Sequence, residues 1–177
     1  NLKEIAESRG YTTVVPSAVL ATHLTELIKT YASELLTRQN VAHLVETLKE
    51  DHPALVNDII PAVVPLSAIQ KVLQSLLLER IPIRDLATIV ETISDYYSAT
   101  KETDVLAEYV RMALKRQITN IYKDKDNRIH VFTIDPAIEQ MLADAVQNTK
   151  QGLMLVINPA DSERLIRAIG RQVDNIT

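Results

Sequence analysis

Along the first two thirds of the chain, apolar residues return every three or four positions, the spacing that gives a helix one buried stripe. Pro16 and Ser17 open one such run, and Leu20, Leu24, Leu27, Ile28, Tyr31 and Leu35 predict a helix that ends near Arg38. Asn40 is placed to cap a second, short helix with the stripe Val41, Leu44, Val45 and Leu48, interrupted by Pro53. Leu55, Val56, Ile59 and Ile60 make a third, closed by Pro61 and Pro65. Ser67 and Gln70 have the S-x-x-Q spacing of a capping box for a fourth, whose face is Ile69, Val72, Leu73, Leu76 and Leu77. In the fifth, Pro82 and Asp85 suit a first turn, ahead of Leu86, Ile89, Val90, Ile93 and Tyr97. The sixth runs from Thr103 to Tyr122 and is expected to bury Leu106, Tyr109, Val110, Ala113, Leu114, Ile118 and Ile121.

The period changes after the charged loop KDKDN, residues 123–127. RIHVFTI, 128–134, is β-branched and aromatic and reads as a strand. Asp135 and Pro136 then pair an N-cap with an N1 proline, opening a helix through Ile138, Met141, Leu142, Ala145 and Val146. GLMLVI, 152–157, is a second strand, and Asn158 with Pro159 repeats the cap-and-proline device before Leu165, Ile166, Ile169 and Val173. Strand, helix, strand, helix predicts a right-handed crossover between parallel strands. Two parallel strands are too few for a stable sheet, so partner strands are expected from beyond Thr177 or from another chain. The expected fold is mainly α: a compact array of about six helices followed by a small, truncated α/β (βαβα) subdomain. No repeat is regular enough for a solenoid.

Composition narrows the chemistry. The 177 residues are 46% hydrophobic and 24% charged, an ordinary globular balance that does not need metals or disulfides to hold a core. There is no cysteine, which excludes thiol catalysis, CxxC redox chemistry and cysteine-ligated zinc. The net charge of -4, with scattered lysines and arginines, argues against nucleic acid as a partner. No apolar run is long enough to span a bilayer. The chain begins at Asn1, within what reads as the end of a helix (LKEIAESRG), so an excised piece of something longer is expected.

The four histidines, His23, His43, His52 and His130, are the obvious acid-base groups near neutral pH, and none sits in HExxH. His23 and Glu26 share a helix face, but a bridged metal site needs further Glu and ExxH pairs on facing helices. Asp124-x-Asp126 imitates a calcium loop, yet Ile129 stands where glycine is required and Arg128 where a ligand is required. GxSxG, GxGxxG and P-loop motifs are absent. The tyrosines fall mostly at helical core positions without a basic surround, unlike a base-stacking surface. No metal, no cofactor and no enzymatic activity are therefore expected. A hydrolase using His23 or His130 is the enzymatic alternative, and it requires a cleft that brings one of them to a Ser or Asp. What remains is an interaction or scaffold module.

Four stretches give that module a shape: GYTTVVPSAVLATHLTELI at 10–28, ASELLTRQNV at 32–41, VLQSLLLERIPIRDLATIVETI at 72–93 and TDVLAEYVRMALKRQI at 103–118. In order and spacing they resemble the cytoplasmic domain of the FlhA-type flagellar export gate family of type III secretion, and of its injectisome relatives. VFTIDPAIEQML and LMLVINP resemble the family's last subdomain. The resemblance implies a parent with an N-terminal membrane part, sited at the cytoplasmic face of the bacterial inner membrane. It implies that residues 1–20 end a preceding subdomain, 21–122 form an all-helical one, 123–127 link, and 128–177 begin an α/β one. It also implies assembly as a nonameric ring, and partners that are export chaperone–substrate complexes and other soluble export components. An injectisome gate is the alternative within the family. By position, the resemblance assigns one side of a chaperone-docking dimple to Val14, Val19 and Thr22. Members often read VVDPS where this chain reads TVVPS, so Val15 or a one-residue shift replaces an expected Asp.

Overall fold

The computed structural model describes residues 2–131, 133–149 and 152–174. The chain divides into two compact units, Asn1–Asp124 and Lys125–Thr177. The first is helical: α1 (Leu2–Ser8), α2 (Pro16–Thr30), α3 (Ala32–Leu35), α4 (Arg38–Asp51), α5 (Pro53–Ile59), α6 (Leu66–Leu78), α7 (Leu86–Tyr97), α8 (Thr103–Ala113) and α9 (Lys115–Tyr122). The second holds α10 (Pro136–Asp144), β1 (Val146–Thr149), β2 (Gly152–Leu155) and α11 (Pro159–Asp174). The chain is mainly α.

The core of the helical unit lies where α6, α7 and α8 meet. Ile69, Leu73 and Leu76 from α6, Ile89 and Ile93 from α7, and Leu106 from α8 are its largest fully buried side chains. The i, i+3/i+4 stripes read from the sequence are the faces that close on one another here. Val41 and Val45 of α4, Val56 of α5 and Val64 from the following turn extend the core. The short α3 is tied to it by polar contacts. Gln70 and Gln74 each donate a side-chain N–H to the Leu36 carbonyl, at 3.0 and 3.2 Å, and Gln74 also reaches the Ser33 carbonyl at 3.1 Å. Carbonyls at a helix end have no partner within the helix, so these glutamines supply one from the neighbouring helix.

Several helix starts differ from expectation. Gln70 is occupied with Leu36, and α6 begins at Leu66 behind Pro65 without a side-chain cap, so Ser67 already lies inside the helix and no capping box forms. For α4 the cap is Thr37. Its hydroxyl accepts from the Asn40 backbone at 3.2 Å, while the Asn40 side chain accepts from the Thr37 backbone at 2.9 Å, which makes Asn40 the third helical residue of a capping box. Asp85 is the N-cap of α7, accepting from the Thr88 N–H at 3.2 Å, and Pro82 stands ahead of the helix. The expected first and sixth helices each break once, at Tyr31 and at Leu114.

At the end of α6, Arg80 takes a left-handed conformation (φ 58°). Its N–H bonds the Leu77 carbonyl at 3.0 Å and that of Ile81 bonds Leu76 at 2.9 Å, the paired bonds of a Schellman stop. Ile81 is thereby turned into the core.

Burial differs most at α2. None of its residues is buried, and the stripe Leu20, Leu24, Leu27, Ile28, with Tyr31 and Leu35 beyond it, is exposed, Leu20 to 69%. Leu36, not Leu35, enters the core. Ala113 and Ile121 are exposed as well. The tyrosines are less buried than their spacing suggests: Tyr11, Tyr31, Tyr96 and Tyr122 are exposed, and Tyr96 stacks on the half-buried Tyr109 at 3.7 Å between ring centroids.

In the second unit the two cap-and-proline devices are present. The Asp135 carboxylate accepts from the Ala137 N–H at 2.8 Å, and the Asn158 side chain accepts from Ala160 at 2.9 Å. The strand pairing is different from the expected parallel crossover. β1 and β2 pair antiparallel, Val146 opposite Leu155 and Thr149 opposite Gly152, so the second strand finds its partner in the adjacent residues 146–149. Val146 therefore belongs to a strand and not to the helix before it. Adjacent antiparallel strands need only a tight turn, whereas a parallel pair needs a crossover of a dozen residues or more. Residues 128–131 and 133–134, expected as a strand, carry no strand pairing, and Phe132 lies outside the described residues. No described residue of this unit is buried.

Two consequences are measurable by urea denaturation of the chain. Leu73→Ala or Ile89→Ala should cost about 2–5 kcal/mol, whereas Leu24→Ala, on an exposed stripe, should stay within about 0.5 kcal/mol of the parent. Thr37→Ala should cost about 1 kcal/mol and Ser67→Ala distinctly less. The reverse order for the two caps would contradict the assignment of helix starts.

Candidate functional site

The residues singled out from the sequence, Val14, Val19 and Thr22, lie around the start of α2. The approach is set by α1, which stops at Gly10 in a left-handed conformation (φ 82°). The Tyr11 N–H bonds the Ala6 carbonyl and that of Gly10 bonds Glu7, at 3.1 and 3.0 Å. A Cβ at residue 10 would meet no atom, so glycine serves the backbone angle and not a close contact. Residues 11–15 then run outside any helix or strand, with the Thr13 hydroxyl donating to the Glu7 carboxylate at 2.5 Å. Val14 is exposed on this strap.

Val15 is the N-cap of α2. It is extended (φ -69°, ψ 141°), offers no side-chain cap, and holds the helix start through its carbonyl alone, which accepts from Ala18 and Val19 at 3.0 and 3.3 Å. Pro16 at N1 removes one N–H that would otherwise lack a partner. Where an aspartate would place a carboxylate, this chain presents an apolar side chain.

From there the helix turns about 100° per residue. Val19 and Thr22 are one turn apart and share a side with Glu26 and Lys29, while Leu20, Leu24, Leu27 and Ile28 line roughly the opposite side. Both sides are exposed. Lys29 donates to Glu26 at 2.8 Å, and this hydrogen bond and the lysine's charge hold the Glu26 carboxyl below the usual range. The pair is open to solvent and serves as a polar border below Thr22, with little contribution to stability. Val19 is thus an isolated apolar position on an otherwise polar side, with Val14 just ahead of it on the strap.

His23 lies exposed on the same helix. Among the described residues no three His, Cys, Asp or Glu side chains are grouped so as to hold a metal ion.

The sequence reading did not find two grooves in the helical unit. One, of about 490 Å³, runs between α4 and the segment ahead of α7, with Leu44, Leu48, Ile83 and Leu86 inside and Asp51 and Arg84 at its edge. Another, of about 220 Å³, joins Lys29 and Ala32 to Leu77, Arg80, Ile81 and Pro82. The signal for the first was present: Leu44, Thr47, Leu48 and Asp51 recur at helical spacing, but nothing in that spacing says that the stripe is only partly covered. Among the described residues, no helix is long and apolar enough to cross a membrane.

Against known proteins, the FHIPEP family model matches residues 1–177. The chain is 39% identical over 176 residues to the flagellar biosynthesis protein FlhA of Bacillus subtilis, covering 99% of this chain and 26% of that protein. Among solved structures it is similar to Chlamydia pneumoniae CdsV in complex with CdsO (TM-score 0.84, 29% identity, 96% of this chain and 49% of that one). It is also similar to the nonameric SctV-C of EPEC (TM-score 0.83, 28% identity, 96% of this chain and 52% of that one). The chain spans about a quarter of the FlhA relative's length. With the family model matched from end to end and a helical unit built on the same residues that carry the resemblance, the chain belongs to the FHIPEP family, that of the flagellar and injectisome export gates.

Proposed function

We propose that this chain is part of the cytoplasmic region of a flagellar type III export gate, acting as a non-catalytic docking and ring-forming platform for export chaperone–substrate complexes. The observation that carries this reading is the 39% identity to a flagellar FlhA over 176 residues. The exposed start of α2 supports docking, because it offers apolar positions bordered by polar ones. Ring formation is supported by the nonameric SctV-C, and exchange with soluble export components by the CdsV–CdsO complex. In this reading residues 1–20 close a preceding subdomain, 21–122 are the helical subdomain, 123–127 the link and 128–177 part of an α/β subdomain. The platform sits at the cytoplasmic face of the inner membrane, anchored by a membrane part of the parent.

Docking is assigned to Val14, Val19 and Thr22. An apolar residue on an otherwise polar helix side provides contact area that a partner can desolvate, while the Glu26–Lys29 pair fixes the border by charge. Val14→Asp and Thr22→Arg should each weaken capture of a purified flagellar chaperone–substrate complex at least tenfold, a loss of about 1.4 kcal/mol. Thermal unfolding should not move, because both residues are exposed. Unchanged affinity in both variants, measured by calorimetry, would remove the docking assignment. Capture of injectisome chaperones and not flagellar ones would move the chain to the injectisome branch.

A further inference from the structure

The strap ahead of α2 is anchored on both sides of Val14, and we propose that Gly10 and Thr13, both held by Glu7, are positioning residues of the docking surface, presenting Val14 to a partner without touching it. This inference rests on the docking reading above.

Residues 11–15 belong to no helix or strand, so no regular ladder of hydrogen bonds fixes their course. Each residue that a partner had to order would subtract from affinity. Local bonds remove much of that freedom beforehand. At the entrance α1 ends in a Schellman stop, in which the Gly10 N–H bonds the Glu7 carbonyl at 3.0 Å and the Tyr11 N–H bonds the Ala6 carbonyl at 3.1 Å. That stop uses Gly10 in the left-handed region (φ 82°), where a Cβ would strain the backbone although it would meet no atom. Three residues on, the Thr13 hydroxyl donates to the Glu7 carboxylate at 2.5 Å. Glu7 thus holds the chain twice, by its carbonyl at Gly10 and by its side chain at Thr13. At the exit, the Val15 carbonyl accepts from Ala18 and Val19, and Pro16 has its φ fixed by its own ring. Val14 is the single residue between these anchors, and its side chain is 60% exposed.

The burial pattern suits positioning rather than contact at Thr13. Its side chain is half-buried with its proton given to Glu7, whereas Val14 and Val15 beyond it are exposed. Residues 5–16 contribute nothing to the buried core, so a surface hydrogen bond here does little for the stability of the helical unit. Its effect falls on the segment that it orders. A Val14 already in place meets a partner directly, while a released one must be ordered during binding, which slows association.

The test is the kinetics of a purified flagellar chaperone–substrate complex on the immobilised chain, followed by surface plasmon resonance. Thr13→Val, close in shape but without the hydroxyl, should lower affinity about three- to tenfold, with the loss in the association rate. Thr13→Ser should keep most of the parent's affinity, and the thermal midpoint of both variants should match the parent's. In a Glu7→Ala background, Thr13→Val should lose nothing further, because the bond that it removes is already gone. Gly10→Ala should also slow association, and Gly10→Asn, which tolerates the left-handed angle, should slow it less. Val14→Asp, at the contact itself, should instead speed dissociation. An undiminished loss from Thr13→Val in the Glu7→Ala background would make Thr13 a contact residue and overturn the positioning role. Unchanged association in Thr13→Val, with Val14→Asp still weakening binding, would overturn it as well and leave the docking reading standing. Unchanged binding in both Val14→Asp and Thr22→Arg would overturn the docking reading, and this role with it.

Discussion

The meeting of α6, α7 and α8 is the constraint on which the helical unit depends, because its largest fully buried side chains come mostly from those three helices. Each presents a stripe at helical spacing, and each stripe is closed by another of the three. Peripheral elements attach to this centre by fewer and more specific contacts: α3 through two glutamine side chains, α4 through Val41 and Val45, α5 through Val56, and the segment ahead of α7 through Ile81. Such an arrangement tolerates change at its margins. A large apolar side chain lost at the centre leaves a cavity, whereas one lost from the margin leaves solvent, and the difference is several-fold in free energy.

α2 stands apart from that logic. A helix of 15 residues is near the limit of stability on its own in water, and most helical stability in proteins comes from a packed face. Yet this one packs none of its residues fully, and its leucine stripe is open. The helix therefore has two surfaces available at once, the leucine stripe and the side bearing Val19 and Thr22. A docking residue works best on a rigid element, since affinity falls when the partner must also order the site. An occupied leucine stripe would rigidify the other side of the same helix.

How far the sequence could be read follows from what periodicity encodes. It reports which residues share a face, and for Ile69 to Leu76, Ile89 to Ile93 and Leu106 to Val110 that was enough, because the covering partner lies a few dozen residues away. The same period placed Leu20 to Ile28 on one face without revealing that no described residue of the helical unit buries it. Caps were less legible. Ser67 and Asn40 both fit a motif, but competing donors decided the outcome: Gln70 bonds Leu36 instead of the helix start, and Thr37 lies one turn ahead of the residue that seemed to be the cap. The strand over 152–155 was recognisable by composition, whereas its partner was misassigned because Val146 also continues a helical stripe. Val14, Val19 and Thr22 carry no local signature at all. Only the resemblance singled them out.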